Sequence, residues 1–141
     1  IAINKMIDLI VNEGFDFVNG TRYAKGGFRL GGSFLASNLS KLANKIFCLL
    51  SNFPLSDCTT GIKMMKKNVW NSISLDSKPV GWAFAFELTI KVYLNKFKMT
   101  EVPLKSVDRL FGGASTFKPL PWIKEYLKWF FWGLKEIKKN K

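Results

Sequence analysis

The stretch from Phe15 to Tyr23, FDFVNGTRY, decides the fold prediction. Phe15 to Val18 predict a short strand, and the chain then continues through residues 20–23 to glycine pairs at 26–27 and 31–32. Glycine and polar positions allow the backbone to approach a ligand closely. A functional loop at the carboxyl end of a strand is typical of α/β sheets. The stretch therefore predicts a strand that leads into a binding loop.

Periodic segments on both sides of that loop predict helices that alternate with strands. Apolar residues recur at helical spacing in three segments, and short apolar runs between them predict strands. This alternation favours an α/β fold. The predicted helices are 3–12, 33–50 and 82–94, with a short helix at 69–73, and the predicted strands beyond the first are 62–65 and 98–103.

Composition limits the kinds of protein that the chain can be. Its 141 residues suit one domain, and the formal net charge of +12 attracts anionic membranes, nucleic acid or phosphate-bearing substrates. Histidine is absent, which excludes histidine metal ligands and catalytic systems built on Ser/His or Cys/His pairs. Cys48 and Cys58 lack a metal-binding or disulfide framework, so we expect a reducing compartment and two buried thiols.

The segment from Trp122 to Lys139 has the clearest helical pattern. An apolar stripe is edged by lysines on one flank and by aromatic residues on the other, a pattern typical of a helix in the headgroup layer of a membrane. A terminal helix docked on the protein is the alternative. The stripe comprises Ile123, Leu127, Phe130, Leu134 and Ile137, the basic flank Lys124, Lys128 and Lys135, and the aromatic flank Trp122, Tyr126 and Trp129.

Four charged residues near predicted loops or helix ends are candidates for chemistry. Arg22 could bind phosphate through two parallel hydrogen bonds, or could be a solvated surface arginine. Asp57 could act as a base or an electrostatic group, or could bond its own turn. Glu87 in an apolar helix favours a structural ion pair. Arg109, followed by glycines and Ser115, could close over a pyrophosphate or lie in an ordinary connection.

Taken in order and spacing, five motifs resemble those of family-2 glycosyltransferases, particularly the dolichyl- and bactoprenyl-phosphate sugar transferases. The resemblance covers nearly the whole chain. The motifs are GTRY at 20–23, similar to G-S-R-Y; DCTTGIK at 57–63, similar to D-x-T-S-G-F-R; the helix WAFAFEL at 82–88; EVPL at 101–104, similar to E-V-P-I; and DRLFGGAS at 108–115, similar to D-R-x-x-G-x-S.

The resemblance implies a GT-A fold, of which this chain would form the carboxy-terminal half. Residues 1–119 would belong to the glycosyltransferase domain, and residues 120–141 would form a basic and aromatic membrane-interface helix. Such enzymes hold Mg²⁺ or Mn²⁺ through a D-x-D motif in the amino-terminal half, and no D-x-D occurs in the 141 residues. The metal ligands are therefore expected before Ile1, and this chain alone is expected to be inactive.

The resemblance also implies the roles of individual residues. Arg22 would bind the acceptor phosphate, and Asp57 would line the transfer site as the catalytic residue. Arg109 would contact the donor diphosphate as its loop orders, with Ser115 and Lys118 as further phosphate-binding residues.

Three departures from the family pattern affect these assignments. Ile62 replaces a phenylalanine, and two residues separate Ser115 from Lys118 where relatives often have Ser-Lys directly. The helix before Ser40 also lacks an arginine that relatives often use for the acceptor phosphate. Lys41 and Arg29 are the candidates to replace it.

The resemblance thus predicts transfer of a hexose from a nucleotide-diphosphate sugar to a polyprenyl phosphate, dolichyl or undecaprenyl, at the cytoplasmic face of a membrane. The alternative is a non-catalytic membrane-binding module with vestigial glycosyltransferase features. Nucleic-acid binding would also explain the charge of +12. It predicts aromatic rings on a sheet face, whereas the rings here concentrate on predicted helices, and no nucleic-acid partner is expected.

Overall fold

A computed structural model of the protein describes residues 2–32, 34–78, 81–107 and 119–140. Helices and strands alternate along most of this length, in agreement with the predicted α/β class. In chain order the elements are α1 (Ala2–Val11), β1 (Phe17–Thr21), β2 (Phe28–Leu30), α2 (Phe34–Ser51), β3 (Lys63–Met65), α3 (Lys67–Asn71), α4 (Ala83–Leu94), β4 (Met99–Pro103), β5 (Lys105–Val107) and α5 (Pro119–Lys139).

Strand β1 is the centre of a three-stranded sheet with the order β3-β1-β4. It pairs antiparallel with β3 and parallel with β4. All five β1 residues are buried, because helices cover both faces of the sheet. Alternate side chains point to opposite faces, so Phe17 joins one hydrophobic core and Val18 the other.

The two cores differ in size. The smaller core lies under α1, where Met6 and Leu9 pack with Val18 of β1 and Val102 of β4. The larger core joins Phe17 to the helices α2, α4 and α5. Its centre is aromatic, since the ring of Phe47 meets those of its neighbours edge to face at centroid distances of 5.0 to 5.5 Å. These neighbouring rings belong to Phe53, Phe86 and Phe130.

Strand β1 extends further than predicted and includes Gly20 and Thr21. A Cβ atom at position 20 would collide with the side chain of Leu104. Packing therefore explains Gly20, in addition to the close approach of a ligand that was predicted for this stretch. Strands β2 and β5, which pair in parallel, were not predicted. Each has only three residues, mostly exposed, and their pairing is distant in sequence, so no local apolar pattern indicates them.

Helix α5 docks on the protein. It buries part of the surface that was predicted to face a membrane. Trp129 is 4% exposed and Ile137 is 1% exposed. Gly133 lets α5 approach α4 closely, since a Cβ there would lie 2.5 Å from Ile90. The interpretation of Trp129 as an interfacial residue, and of Ile137 as part of a stripe facing the membrane, was therefore wrong. Phe130 and Leu134 of that stripe also pack against the larger core. The outer surface of α5 still exposes Ile123 and the apolar residues on its side, Leu127 and Phe131, by 44 to 63%.

Two further findings concern membrane spans and cysteines. Within the described ranges, every helix is too short or too polar to cross a membrane. Cys58 is buried, as predicted, and Cys48 is partly buried, with its thiol donating to the carbonyl of Leu55 at 2.9 Å. Both thiols are free.

Candidate functional site

Arg22 and Asp57 form a bidentate ion pair just beyond the carboxyl end of β1. Nε of Arg22 donates to Oδ2 of Asp57 at 2.7 Å, and Nη2 donates to Oδ1 at 2.9 Å. The backbone N–H of Arg22 adds a third bond to Oδ2 at 3.2 Å. The carboxylate is fully buried, whereas 14% of the arginine side chain is exposed. The pair therefore fixes the guanidinium, and part of the arginine side chain reaches the surface.

The pair keeps Asp57 ionised. Burial alone would raise the pKa of Asp57, but the hydrogen bonds and the charge of Arg22 outweigh it and hold the pKa below its ordinary value of 3.8. Thr59 contributes through its hydroxyl, which donates to Oδ1 at 3.0 Å. A carboxylate held in this way is a weak proton acceptor, so the geometry favours an orienting role over a general base.

A chain of hydroxyl groups extends from the ion pair to helix α2. Thr59 accepts from Nη2 of Arg22 at 2.9 Å and lies 3.1 Å from the hydroxyl of Ser40. Tyr23 donates its phenolic proton to Ser40 at 2.9 Å. Burial raises the pKa of Tyr23, so the phenol stays protonated at neutral pH. The residue after Arg22 is thereby tied to α2.

Asn44 of α2 fixes the turn that carries Asp57. Its Oδ1 accepts the backbone N–H of Cys58 at 2.7 Å, and its Nδ2 donates to the hydroxyl of Thr59 at 3.2 Å. The residue is 1% exposed, so these bonds replace water that it would otherwise bind. Helix α2 thus holds the position of the turn relative to β1.

Glu101 of β4 holds the residue that precedes Asp57. Its carboxylate accepts the backbone N–H of Ser56 at 2.8 Å and the hydroxyl of the same residue at 2.9 Å. Burial raises the pKa of Glu101, against the lowering effect of these two bonds. The hydroxyl of Ser56 also lies 2.7 Å from that of Thr21. Strand β4 therefore supports the same turn from the opposite side.

A second buried cation lies behind the turn. The ammonium of Lys63 donates to Oδ1 of Asn19 and to the hydroxyl of Thr89, each at 2.7 Å. Lys63 as a whole is only partly buried, but both partners are fully buried. Burial lowers the pKa of Lys63 from 10.5 to about 8. The Nδ2 of Asn19 in turn donates to the carbonyl of Asp57 at 2.7 Å, which links the two charged groups.

A groove of about 260 Å³ is bordered by Tyr23 and Ser56, the sequence neighbours of the ion pair, although the two paired residues are not among those that line it. Lys41 and Lys45 of α2 lie one turn apart along it. Lys41, one of the two candidates to replace the missing arginine, therefore lines the groove, whereas Arg29 lies on β2. The groove combines cations, hydroxyls and apolar side chains, a lining suited to a molecule with an anionic group and a hydrocarbon part.

The other predicted residues fall in two groups. Arg109, Ser115 and Lys118 lie outside the described residues, and their roles stay predictions. The prediction that Glu87 forms a structural ion pair is confirmed. Its carboxylate lies 2.7 Å from the ammonium of Lys91 and also accepts backbone N–H groups. These N–H groups belong to Asp76 and Ser77, at 2.8 and 2.9 Å.

Sequence reasoning missed the polar residues that support the turn. Asn19, Asn44 and Thr89 are fully or almost fully buried, yet none of them belongs to a recognised motif. Lys63 did give a signal, because a lysine inside a short apolar strand requires partners. For metals, among the residues that the structure describes no group of three or more histidine, cysteine or acidic residues could hold an ion.

A sugar transferase is among the curated proteins that the chain matches. The chain is 31% identical, over 113 residues, to a polyprenol monophosphomannose synthase of Mycolicibacterium smegmatis (strain ATCC 700084 / mc(2)155). The chain resembles the family-2 glycosyltransferases, as predicted. The aligned part covers 78% of this chain and 42% of the relative, so the chain spans less than half the length of that protein. No protein-family model matches the chain.

The glycosyltransferase resemblance gives the ion pair a context. Two motifs that are distant in sequence, GTRY at 20–23 and DCTTGIK at 57–63, meet through Arg22 and Asp57. Ile62, where relatives have phenylalanine, is 52% exposed and lies outside the pair. Its departure from the pattern therefore leaves the contacts of Arg22 unchanged.

Proposed function

We propose that this chain forms the acceptor side of a glycosyltransferase that moves a hexose from a nucleotide-diphosphate sugar to a polyprenyl phosphate at the cytoplasmic face of a membrane. The similarity to a polyprenol monophosphomannose synthase supports this class of acceptor. This chain would form the carboxy-terminal half of a GT-A domain, and the proposal concerns the complete protein.

The Arg22–Asp57 pair is the observation that carries the proposal. Asp57 uses both carboxylate oxygens to fix the guanidinium of Arg22, and 14% of the arginine side chain is exposed. A guanidinium that Asp57 fixes before the ligand arrives loses little entropy on binding, and its permanent positive charge attracts the phosphate oxygens. Arg22 is therefore the proposed ligand of the acceptor phosphate, and Lys41 and Lys45 add positive charge along the groove.

Catalysis in this proposal rests on positioning. A phosphate acceptor is already ionised at neutral pH, so it needs little help from a general base. Asp57 keeps Arg22 in place, and its assignment as the catalytic residue itself stays a prediction. Arg109, Ser115 and Lys118 are the proposed contacts of the donor diphosphate. Positioning of the reactants and neutralisation of the leaving group then supply the rate enhancement.

Two further parts of the proposal concern groups outside these contacts. A Mg²⁺ or Mn²⁺ ion, with ligands in an amino-terminal half, would supply neutralisation of the leaving diphosphate when bound. The acceptor is a lipid, so the enzyme must work at a membrane surface. The positive charge of the chain and the exposed apolar residues of α5 suit this location.

The test measures transfer of a radiolabelled sugar from nucleotide-diphosphate donors to a polyprenyl phosphate by the complete protein. Arg22→Lys keeps the charge but loses the planar fork. We expect transfer to fall by about a hundredfold, because a misplaced phosphate reacts from the wrong geometry. Lys67→Gln, an exposed lysine of α3, is the control and should leave transfer unchanged. Thermal unfolding of each variant separates loss of activity from loss of structure.

Two results would overturn the proposal. One is the absence of label in the lipid fraction with every nucleotide sugar tried, although the protein is folded. The other is equal transfer by Arg22→Lys and by the unaltered protein, which would remove Arg22 from the acceptor site.

A further inference from the structure

Helix α2 has its apolar surface on the side that faces away from the core. Its inner side carries Asn44, Phe47 and Ser51, which are buried. The opposite side exposes five large apolar side chains by 39 to 69%, at the spacing of successive helical turns. We call this surface the outer face of α2; it comprises Leu39, Leu42, Ile46, Leu49 and Leu50.

This arrangement is typical of a surface that contacts a partner. A surface helix normally turns its apolar stripe to the core and its polar side to water. Contiguous exposed apolar patches mark contacts with membranes or with other proteins. The 18 residues of α2 give a stripe about 27 Å long, at about 1.5 Å per residue.

The charges on α2 distinguish a membrane from a protein partner. Lys41 and Lys45 follow one flank of the outer face, and the helix contains no acidic residue. Lysine is depleted in protein–protein interfaces. Helices that lie in the surface of a bilayer instead combine an apolar face with lysines that meet anionic headgroups. The net charge of +12 adds to this attraction.

We propose that the outer face of α2 inserts into the headgroup layer of a bilayer that contains anionic lipids, with Lys41 and Lys45 at the level of the phosphates. This surface deepens the proposed function and rests on it only for the presence of a lipid-borne acceptor. The same two lysines line the groove beside Tyr23 and Ser56. Docking through α2 therefore opens the groove directly onto the lipid headgroups, within reach of a membrane-bound acceptor.

Helix α5 plays a smaller part in this contact. Among the side chains that the structure describes, α5 exposes fewer apolar residues than α2. Glu125 is buried against the protein, where it accepts from the indole of Trp129 at 2.9 Å. Most of the remaining surface of α5 is committed to the core with α4. None of the described contacts buries the apolar stripe of α2 against the protein. Helix α2 is therefore the principal membrane surface in this proposal.

The test is sedimentation of the purified protein with vesicles of phosphatidylcholine, with and without phosphatidylglycerol, and without any polyprenyl phosphate. Leu39→Gln and Leu50→Gln are combined, because both residues are half exposed and neither lines the groove. We expect binding to the anionic vesicles to weaken at least about tenfold, since two leucines lose their apolar contact with lipid. The matched control is Ile3→Gln with Val11→Gln on α1, which are 60% and 70% exposed.

The outcomes separate this surface from the proposed function. Weaker vesicle binding by the α2 variant but not by the α1 control supports the membrane surface. Equal losses in both variants, or no binding by the unaltered protein, overturn it. A dimer in solution that the α2 variant dissociates also overturns it, because a second copy would then cover the face. Transfer to a short-chain, water-soluble polyprenyl phosphate tests the proposed function separately, and the α2 variant should retain it.

Discussion

Arg22 lies beside the turn that carries Asp57, and Lys63 lies behind that turn. The two cations differ in the groups that balance their positive charge. Arg22 meets a carboxylate, with two bonds to Asp57 of 2.7 and 2.9 Å. Lys63 meets neutral oxygens, those of Asn19 and Thr89 at 2.7 Å and the carbonyl of Cys58 at 3.4 Å. The ring of Phe17, 5.7 Å from the ammonium, adds a cation–π contact.

The difference shows how each charge is held in the fold. A full counter-charge keeps both members of the Arg22–Asp57 pair ionised and rigid. Dipoles alone leave part of the desolvation cost of Lys63 uncompensated, and its pKa falls to about 8. Arg22 is therefore a permanent charge with a fixed direction, as a phosphate ligand requires. Lys63 is a structural donor whose charge depends on pH.

The largest expected effect comes from removing the counter-charge of Arg22. Asp57→Ala leaves the guanidinium largely buried and unpaired, and we expect the free energy of unfolding to fall by about 3–5 kcal/mol. Denaturation in urea measures this. Asp76→Ala is the control, because Asp76 is an exposed partner of Lys91 and its loss should lower the free energy of unfolding far less. Similar losses in the two variants would contradict a buried, tightly coupled pair.

The same pair has a defined pH dependence. Since the folded pKa of Asp57 lies below 3.8, its stabilising effect is present above that value and is lost as the pH falls through the lowered pKa. Asp57→Asn should therefore flatten the acid side of the stability curve.

A smaller effect is expected where the two cations are linked. Asn19 accepts from Lys63 and donates to the carbonyl of Asp57 at 2.7 Å. Asn19→Ala removes both bonds and leaves a buried donor and acceptor unsatisfied, so the free energy of unfolding should fall by about 1–3 kcal/mol. Asn12→Ala, an exposed asparagine that donates to Asp8, is the control and should change it little. No loss for Asn19→Ala would mean that the two charges are supported independently.

The sequence predicted the fold class because the main elements carry periodic patterns. Helices α1, α2, α4 and α5 and strands β1, β3 and β4 agree with the prediction within a few residues at either end. Strands β2 and β5 have three residues each and form through a pairing distant in sequence, which periodicity does not capture. The orientation of α2 also could not be predicted, since an apolar stripe indicates a helix without indicating which partner covers it.

The site was predicted in part. Arg22 and Asp57 were chosen separately on their motifs, and the fold brings them into contact. Their mutual pairing was not predicted, because it joins the end of β1 to a turn that only the register with β3 places nearby. Asn19, Asn44 and Thr89 were missed, since a buried amide or hydroxyl acquires its function from partners distant in sequence.

Lys63 offers a prediction on the alkaline side. Between its folded pKa of about 8 and its ordinary value of 10.5, the unfolded chain binds more protons than the folded one. Because of this residue, the free energy of unfolding should increase as the pH rises through that window. The increase is at most about 1.4 kcal/mol per pH unit. Lys63→Met should remove this gain. Urea denaturation of both proteins across the window measures the difference, and parallel curves would contradict the lowered pKa.

The smallest effect is expected for an ion pair on the surface. Lys66 and Asp16 lie 2.9 Å apart with side chains 37% and 24% exposed, so water competes for both charges. Lys66→Gln should lower the free energy of unfolding by about 0.2–1 kcal/mol at low salt, and by less as salt screens the pair. Lys67→Gln is the control, since this neighbouring lysine is exposed. If instead the loss matched that of Asp57→Ala and resisted salt, burial would not be what distinguishes Arg22, and the fixed direction of its guanidinium would need another cause.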